Sequence, residues 1–331
     1  MKTINRPIFI VGMDRSGTSI VANMVSRWGA FGGDPRTLEH KDSRNATGFF
    51  ENEALEYFIR DLLIEVGVNF WEADFRDRLL QCANDPKWVS KAEALIGQMD
   101  QTNQVWFWKE PLLSVLLPFW KTFLPDPVYV ITLRNPHHSA TSYERFVLPE
   151  KAREAASGVQ AFMSRWQFML REIMQETKSA NHWHFVSYEA LLADVSGTAA
   201  ALEGYLDDAF QRPCQQRATH MAQVVDPKLC HHREEIPFDQ NPLVTPAQKA
   251  FYQFLLAKKD APDLAYHEDE YPMTPGFDEQ MKNLEFIIEY YEALDPLLDS
   301  WLVQLALFYR VVVINTKEAL FHFFMRFRRS R

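Results

Sequence analysis

Four short apolar runs, each feeding a stretch of helical periodicity, set the rhythm of the first two thirds of the chain. The first, Ile8 to Val11, is continuous and β-branched or aromatic, the pattern of a buried parallel strand. Beyond a short polar loop, Ile20, Val21, Met24, Val25 and Trp28 recur at helical spacing, and Gly29, Gly32 and Gly33 end that helix. A polar stretch, "EHKDSRNATGFFENEAL", leads into a predicted helix from about Asn52 to Val66, with Leu55, Phe58, Leu62 and Val66 on one face. "VWFWKEP" (105–111) predicts a second strand stopped by Pro111. "LLSVLLPFWKTFL" is helical by apolar density, with Pro118 standing against that reading. "VYVITLRNP" (128–136) is the clearest strand, and Pro136 suits the first turn of the next helix. A long helix is expected over 156–176, and "WHFVSYEALLAD" reads as strand then helix.

Strands alternating with helices imply parallel pairing through crossovers, hence an α/β fold with a central sheet flanked by helices. From about residue 196 the pattern is mostly helical, and the expected division is an α/β domain over 1–277 with a helical extension over 278–331.

Composition adds boundaries. A chain of 331 residues, 47% hydrophobic and 24% charged, is globular with a large core, and it shows no repeat or linker. A net charge of −9 excludes nucleic acid as the main partner but leaves room for a small anion held by local cations. Cys82, Cys214 and Cys230 form neither a disulfide framework nor a zinc spacing, and they fit a reducing compartment. The N-terminus lacks the length of a secretory signal. The longest apolar stretch, 301–315, is short of a bilayer span and carries Arg310. A cytoplasmic location follows as the expectation.

Candidate chemistry begins at "GMDRSGTS" (12–19). Gly12, four residues and Gly17 give the spacing of a phosphate-binding loop, but Thr18 stands where a nucleotide triphosphatase carries lysine. Arg15 lies inside the loop instead. Ligands of open α/β sheets sit at the carboxyl ends of the strands, and three such ends here read "GMDRSGTS", "KEP" and "RNP". Arg15, Lys109 and Arg134 therefore converge on one anion, aided by loop N–H groups and a helix N-terminus. Ser142, eight residues after Arg134, would share that ligand. The plainer reading makes the arginines structural ion pairs and Lys109–Glu110 a solvated pair.

At these residues a family resemblance becomes specific. "PIFIVGMDRSGTS" resembles the 5′-phosphosulfate loop of sulfotransferases that use 3′-phosphoadenosine 5′-phosphosulfate (PAPS). "YVITLRNPHHSATSYERF" is similar to their 3′-phosphate motif, and "FVSYEALLAD" to a later segment. "NATGFFENEAL", "WKEPLLSVLLPFWKTFLPDP" and "DPKLCHHREE" look like the bacterial branch, and the likeness runs from about residue 7 to 235. The resemblance implies that Arg15, Ser16, Gly17, Thr18 and Ser19 cradle the phosphosulfate. It likewise implies that Arg134 and Ser142 hold the 3′-phosphate, that Tyr188 lines the adenosine site and that Lys109 approaches the transferring group. The product would be adenosine 3′,5′-bisphosphate, and no metal is called for.

Departures from the family pattern carry expectations of their own. Asp14 replaces a frequent proline and is expected to point away or to pair with Arg15. Ile20 replaces an adenine-stacking aromatic, and "KLCHHR" (228–233) would substitute for a missing basic segment. The histidine base of the cytosolic enzymes has no equivalent, so the candidate bases are Glu51, ahead of Glu110. His137 and His138 read as helix-start residues, and the clusters Trp106, Phe107, Trp108 and Phe119, Trp120 as core. The acceptor would be a hydroxyl on a saccharide, glycolipid, lipid or small alcohol. The tail "EALFHFFMRFRRSR" reads either as an interfacial helix at the inner membrane face (316–331) or as a helix packed on the domain or on a second subunit. Two other classes stay open: a P-loop kinase or other nucleotide triphosphatase, and a non-catalytic nucleotide-binding member.

Overall fold

A computed structural model describes residues 6–36, 38, 48, 50–101, 104–147, 158–214, 216–226 and 238–282. Cys230, the "KLCHHR" segment and the chain from 283 onward lie outside the described residues, and with them the readings placed there.

The sheet has four parallel strands: β1 (Ile8–Val11), β2 (Phe107–Lys109), β3 (Val128–Leu133) and β4 (Trp183–Ser187), in the order β2-β1-β3-β4. Its register sets Ile10 beside Lys109 and Val130, so β1 and β2 end within a residue of each other and β3 runs on past them to Leu133. The chain steps outward from β1 to β2, then crosses back to β3 on the other side of β1. This reversal opens a crevice at the carboxyl ends of β1 and β3.

Alternate strand residues feed two cores. Ile8, Ile10, Val128, Val130 and Val186 face α1 (Thr18–Trp28) and α9 (Val195–Ala209). Phe9, Val11, Tyr129, Ile131 and Phe185 face the larger cluster. That cluster is built with α2 (Glu53–Val66), α3 (Phe75–Cys82), α4 (Pro86–Asp100) and α5 (Leu113–Phe123), together with α6 (Pro136–Val147), α7 (Val159–Thr177) and α11 (Pro246–Asp260). Strands buried on both faces explain the uninterrupted apolar runs. The aromatic clusters are core, with Trp106, Trp108, Phe119 and Trp120 no more than 1% exposed.

Several sequence expectations shift. The second strand is only three residues long, with Trp106 in a single bridge to Phe31, because β2 is an edge strand and Glu110–Pro111 turn into α5. Pro118 sits inside α5 without ending it, since eight apolar or small side chains of that helix are buried. α3 and α4 fill a stretch that the hydrophobic pattern left unassigned. α8 (Tyr188–Ala193) and α10 (Ala218–Ala222) complete the helices near the sheet. Residues 277–282 are helical, and Phe277 and Met281 join the larger core. Among the described residues no helix is long and apolar enough to cross a membrane.

Candidate active site

The loop between β1 and α1 is fastened on three sides. A Cβ on Gly12 would come within 2.1 Å of Thr132 Oγ1, so β3 demands a glycine there. Ser114, a lone hydroxyl in the apolar run of α5, accepts the Gly12 N–H and donates to the Gly12 carbonyl, both at 3.2 Å. The Ser16 hydroxyl donates to the Met13 carbonyl at 2.5 Å and lies 2.6 Å from Thr132 Oγ1. Ser16 is thus spent on holding the loop, with its side chain buried.

The fastening leaves Arg15 at φ 62°, in the left-handed region, where a bulky residue is strained by about 1–3 kcal/mol. Gly17, at φ 95°, opens α1 without a side-chain cap. A Cβ there would meet the Tyr188 ring at 2.8 Å, so loop and ring are packed face to face. Among the described residues nothing accepts from the N–H groups of Thr18 or Ser19, which open the helix toward an anion.

Four residues named from the sequence meet at the crevice. Arg15 Nε donates to Ser142 Oγ at 3.2 Å, although 127 residues separate them. Arg134 donates to the Arg15 carbonyl at 2.7 Å, and its guanidinium lies 4.3 Å from the centre of the Tyr188 ring. Asn135 caps α6 through the N–H groups of His137 and His138. The Asn135 N–H is itself held by Glu189 at 2.9 Å, a half-buried acceptor that sequence reasoning missed. Burial, with Arg134 and His137 nearby, pushes the His138 imidazole down to about 4, so it is neutral at pH 7.

The β2 side is arranged differently. Lys109 forms an ion pair with Glu51, both largely withdrawn from water. Glu110 is buried and accepts the Leu113 N–H at 3.0 Å. Burial first, then the charges of Glu51 and Asp14, push its carboxyl up to about 8. Asp14, expected to point away or to pair with Arg15, pairs with Arg165 of α7 at 3.3 Å. Arg165 is almost wholly buried, and its guanidinium lies 5.2 Å from the Phe70 ring centre and 5.5 Å from that of Tyr143. The charge that looked misplaced in an anion loop is therefore neutralised from behind. Only a clue as thin as an arginine in a helix rich in aromatic residues marked Arg165 in the sequence.

Glu203, Asp207 and Cys214 also gather on one side of α9. Both oxygens of Glu203 are taken by the N–H groups of Arg217 and Ala218, at 2.6 and 2.9 Å, so it caps α10.

The switch crevice thus brings together a glycine-flanked loop, two arginines and a tyrosine. A family model described as "Sulfotransferase family" matches residues 7–212. The chain belongs to the sulfotransferase family. It is similar to three solved structures. The sulfotransferase STF9 of Mycobacterium avium is 14% identical, covering 77% of each chain at a TM-score of 0.43. The sulfotransferase STF1 of Mycobacterium tuberculosis is 16% identical over 67% of this chain and 71% of that one, TM-score 0.44. The sulfotransferase domain of the Synechococcus olefin synthase is 17% identical over 80% of this chain and 98% of that one, TM-score 0.44. No curated protein matches this chain.

Proposed function

We propose that this sulfotransferase moves a sulfuryl group from PAPS to the hydroxyl of an acceptor. The observation that carries the reading is the meeting of Arg15, Arg134, Ser142 and Tyr188 around the uncapped start of α1. A donor with phosphates at both ends of a ribose asks for two anion sites beside one aromatic wall. Arg15 with the N–H groups of Thr18 and Ser19 would take the phosphosulfate end. Arg134 and Ser142 would take the 3′-phosphate, with Tyr188 along the adenosine.

In the transfer, the acceptor oxygen forms its bond to sulfur as the bond from sulfur to the phosphate oxygen breaks. The loose, in-line character of such transfers leaves the protein to stabilise charge and position the partners. Lys109, level with the loop through its pairing with Ile10, would face the developing charge. The hydroxyl proton needs an acceptor, and we assign it to Glu51, which pairs with Lys109. Glu110 holds its own proton at pH 7 and would leave the base role to Glu51. We further propose a cytoplasmic location.

The test is ligand stabilisation followed by transfer. Adenosine 3′,5′-bisphosphate is expected to raise the melting temperature, whereas ATP with magnesium leaves it unchanged. The reverse pattern would point to a kinase or triphosphatase. Bisphosphate binding without sulfate transfer to any acceptor would favour a non-catalytic member.

A further inference from the structure

A cavity of about 640 Å³ opens between α7, the turn after α2 and the segment before residue 282. Its apolar wall comes from three separate parts of the chain: Trp71, Phe168 and Phe277. Phe168 stacks on Phe277 with 5.6 Å between ring centres, while Trp71 stays partly open. The polar lining is lopsided. Glu172, Glu268, Asp278 and Glu279 face Arg171, and Arg171 is already paired with Glu268 at 2.9 Å. Among the described residues no group donates a hydrogen bond to the Glu172 carboxylate, although it is mostly withdrawn from water.

The cavity shares α7 with the ion pair that backs the loop. Arg165, Phe168 and Glu172 recur on one face of α7, at spacings of three and four residues. By helical rise, Phe168 and Glu172 follow Arg165 by about 5 and about 10 Å along the axis. Arg165 is the residue that touches Asp14 in the donor loop.

We propose that this cavity binds an organic ammonium group, a quaternary or alkylated amine. An alkylated ammonium suits this lining on two counts: its carbon shell packs against aromatic rings, and its charge balances the carboxylates. A neutral polyol would leave that excess of carboxylate uncompensated, and an anionic ligand would be repelled. Burial, with Glu176 beside it, pushes the Glu172 carboxyl up to about 7, against the pull of Arg76 and Arg171.

Calorimetric titration of the full chain with choline and with 3,3-dimethylbutan-1-ol, its uncharged counterpart of the same shape, tests the proposal. Choline is expected to bind about tenfold or more tightly than the alcohol, with Glu172→Gln and Trp71→Ala each weakening it about tenfold. Asp278→Asn, at the exposed rim where folding is not at stake, should weaken choline a few fold, more strongly at low salt. Equal affinity for the two probes, no binding of either, or choline binding that survives all three substitutions would overturn the proposal. Thermal shift by adenosine 3′,5′-bisphosphate on the same preparations separates the two readings. If the bisphosphate binds and choline does not, the ammonium reading alone falls. If the bisphosphate does not bind, the sulfotransferase reading falls, whatever choline does.

Discussion

The two flanks of the donor loop are held in different ways. On the β3 and β4 side, the arginine contacts described above include a hydroxyl, a carbonyl and an aromatic ring. On the β2 side, Lys109 faces Glu51 and Arg165 faces Asp14. Hydrogen bonds to a hydroxyl and a carbonyl set the orientation of a guanidinium, which suits a group meant for an arriving anion. Ion pairs cancel charge and fix geometry, which suits groups that position the loop and handle a proton.

The sharpest way to break this division is Glu51→Gln. If the β2 flank handles the proton, turnover should fall by about 10²–10⁴-fold while bisphosphate binding is kept. Near-normal turnover would move the base elsewhere. Arg165→Met should destabilise the protein by about 3 kcal/mol, because it strands the Asp14 carboxylate beside the loop. Chemical denaturation of Asp14→Asn/Arg165→Met should recover part of that loss, and strict additivity of the two single changes would argue that the pair is not coupled. Arg134→Ala should weaken adenosine 3′,5′-bisphosphate by about 10–100-fold with little change in melting temperature of the free protein. Loss of stability without loss of affinity would make Arg134 a strut instead of a ligand.

The gentlest change is Glu110→Gln. The amide imitates the protonated acid, so turnover at pH 7 should stay within a few fold of the wild type. Its stability should depend on pH in a defined direction. The folded Glu110 holds its proton up to about 8, whereas an unfolded glutamate releases it near its ordinary value of 4.5. The native state therefore binds the extra proton across that window, and its stability falls as pH rises through it. Melting curves of the two proteins at successive pH values should diverge in favour of Glu110→Gln from about pH 5 to 8.

Much of this was readable before any coordinates. Ile8–Val11 and Val128–Leu133 announce buried parallel strands because both faces of the sheet are covered, so no polar residue interrupts them. The Gly12-to-Gly17 spacing is legible because the tight approach of Thr132 and Tyr188 admits no other residue. Arg134 and Ser142 sit one strand end and two helical turns apart, a local relation that spacing can carry.

What stayed hidden is what long-range packing decides. Asp14 and Arg165 are 151 residues apart, and Glu51 and Lys109 are 58 apart; neither pair leaves a periodic trace. The strand order, and with it the crevice between β1 and β3, depends on which side of β1 each crossover takes. The protonation of Glu110 follows from its burial among other carboxylates, a property of surroundings and not of the residue. The sequence alone determined the elements, the loop and the family, because those rest on local sterics and periodicity. Tertiary structure alone decided which charges meet, because a desolvated ion must find its partner wherever the fold brings one.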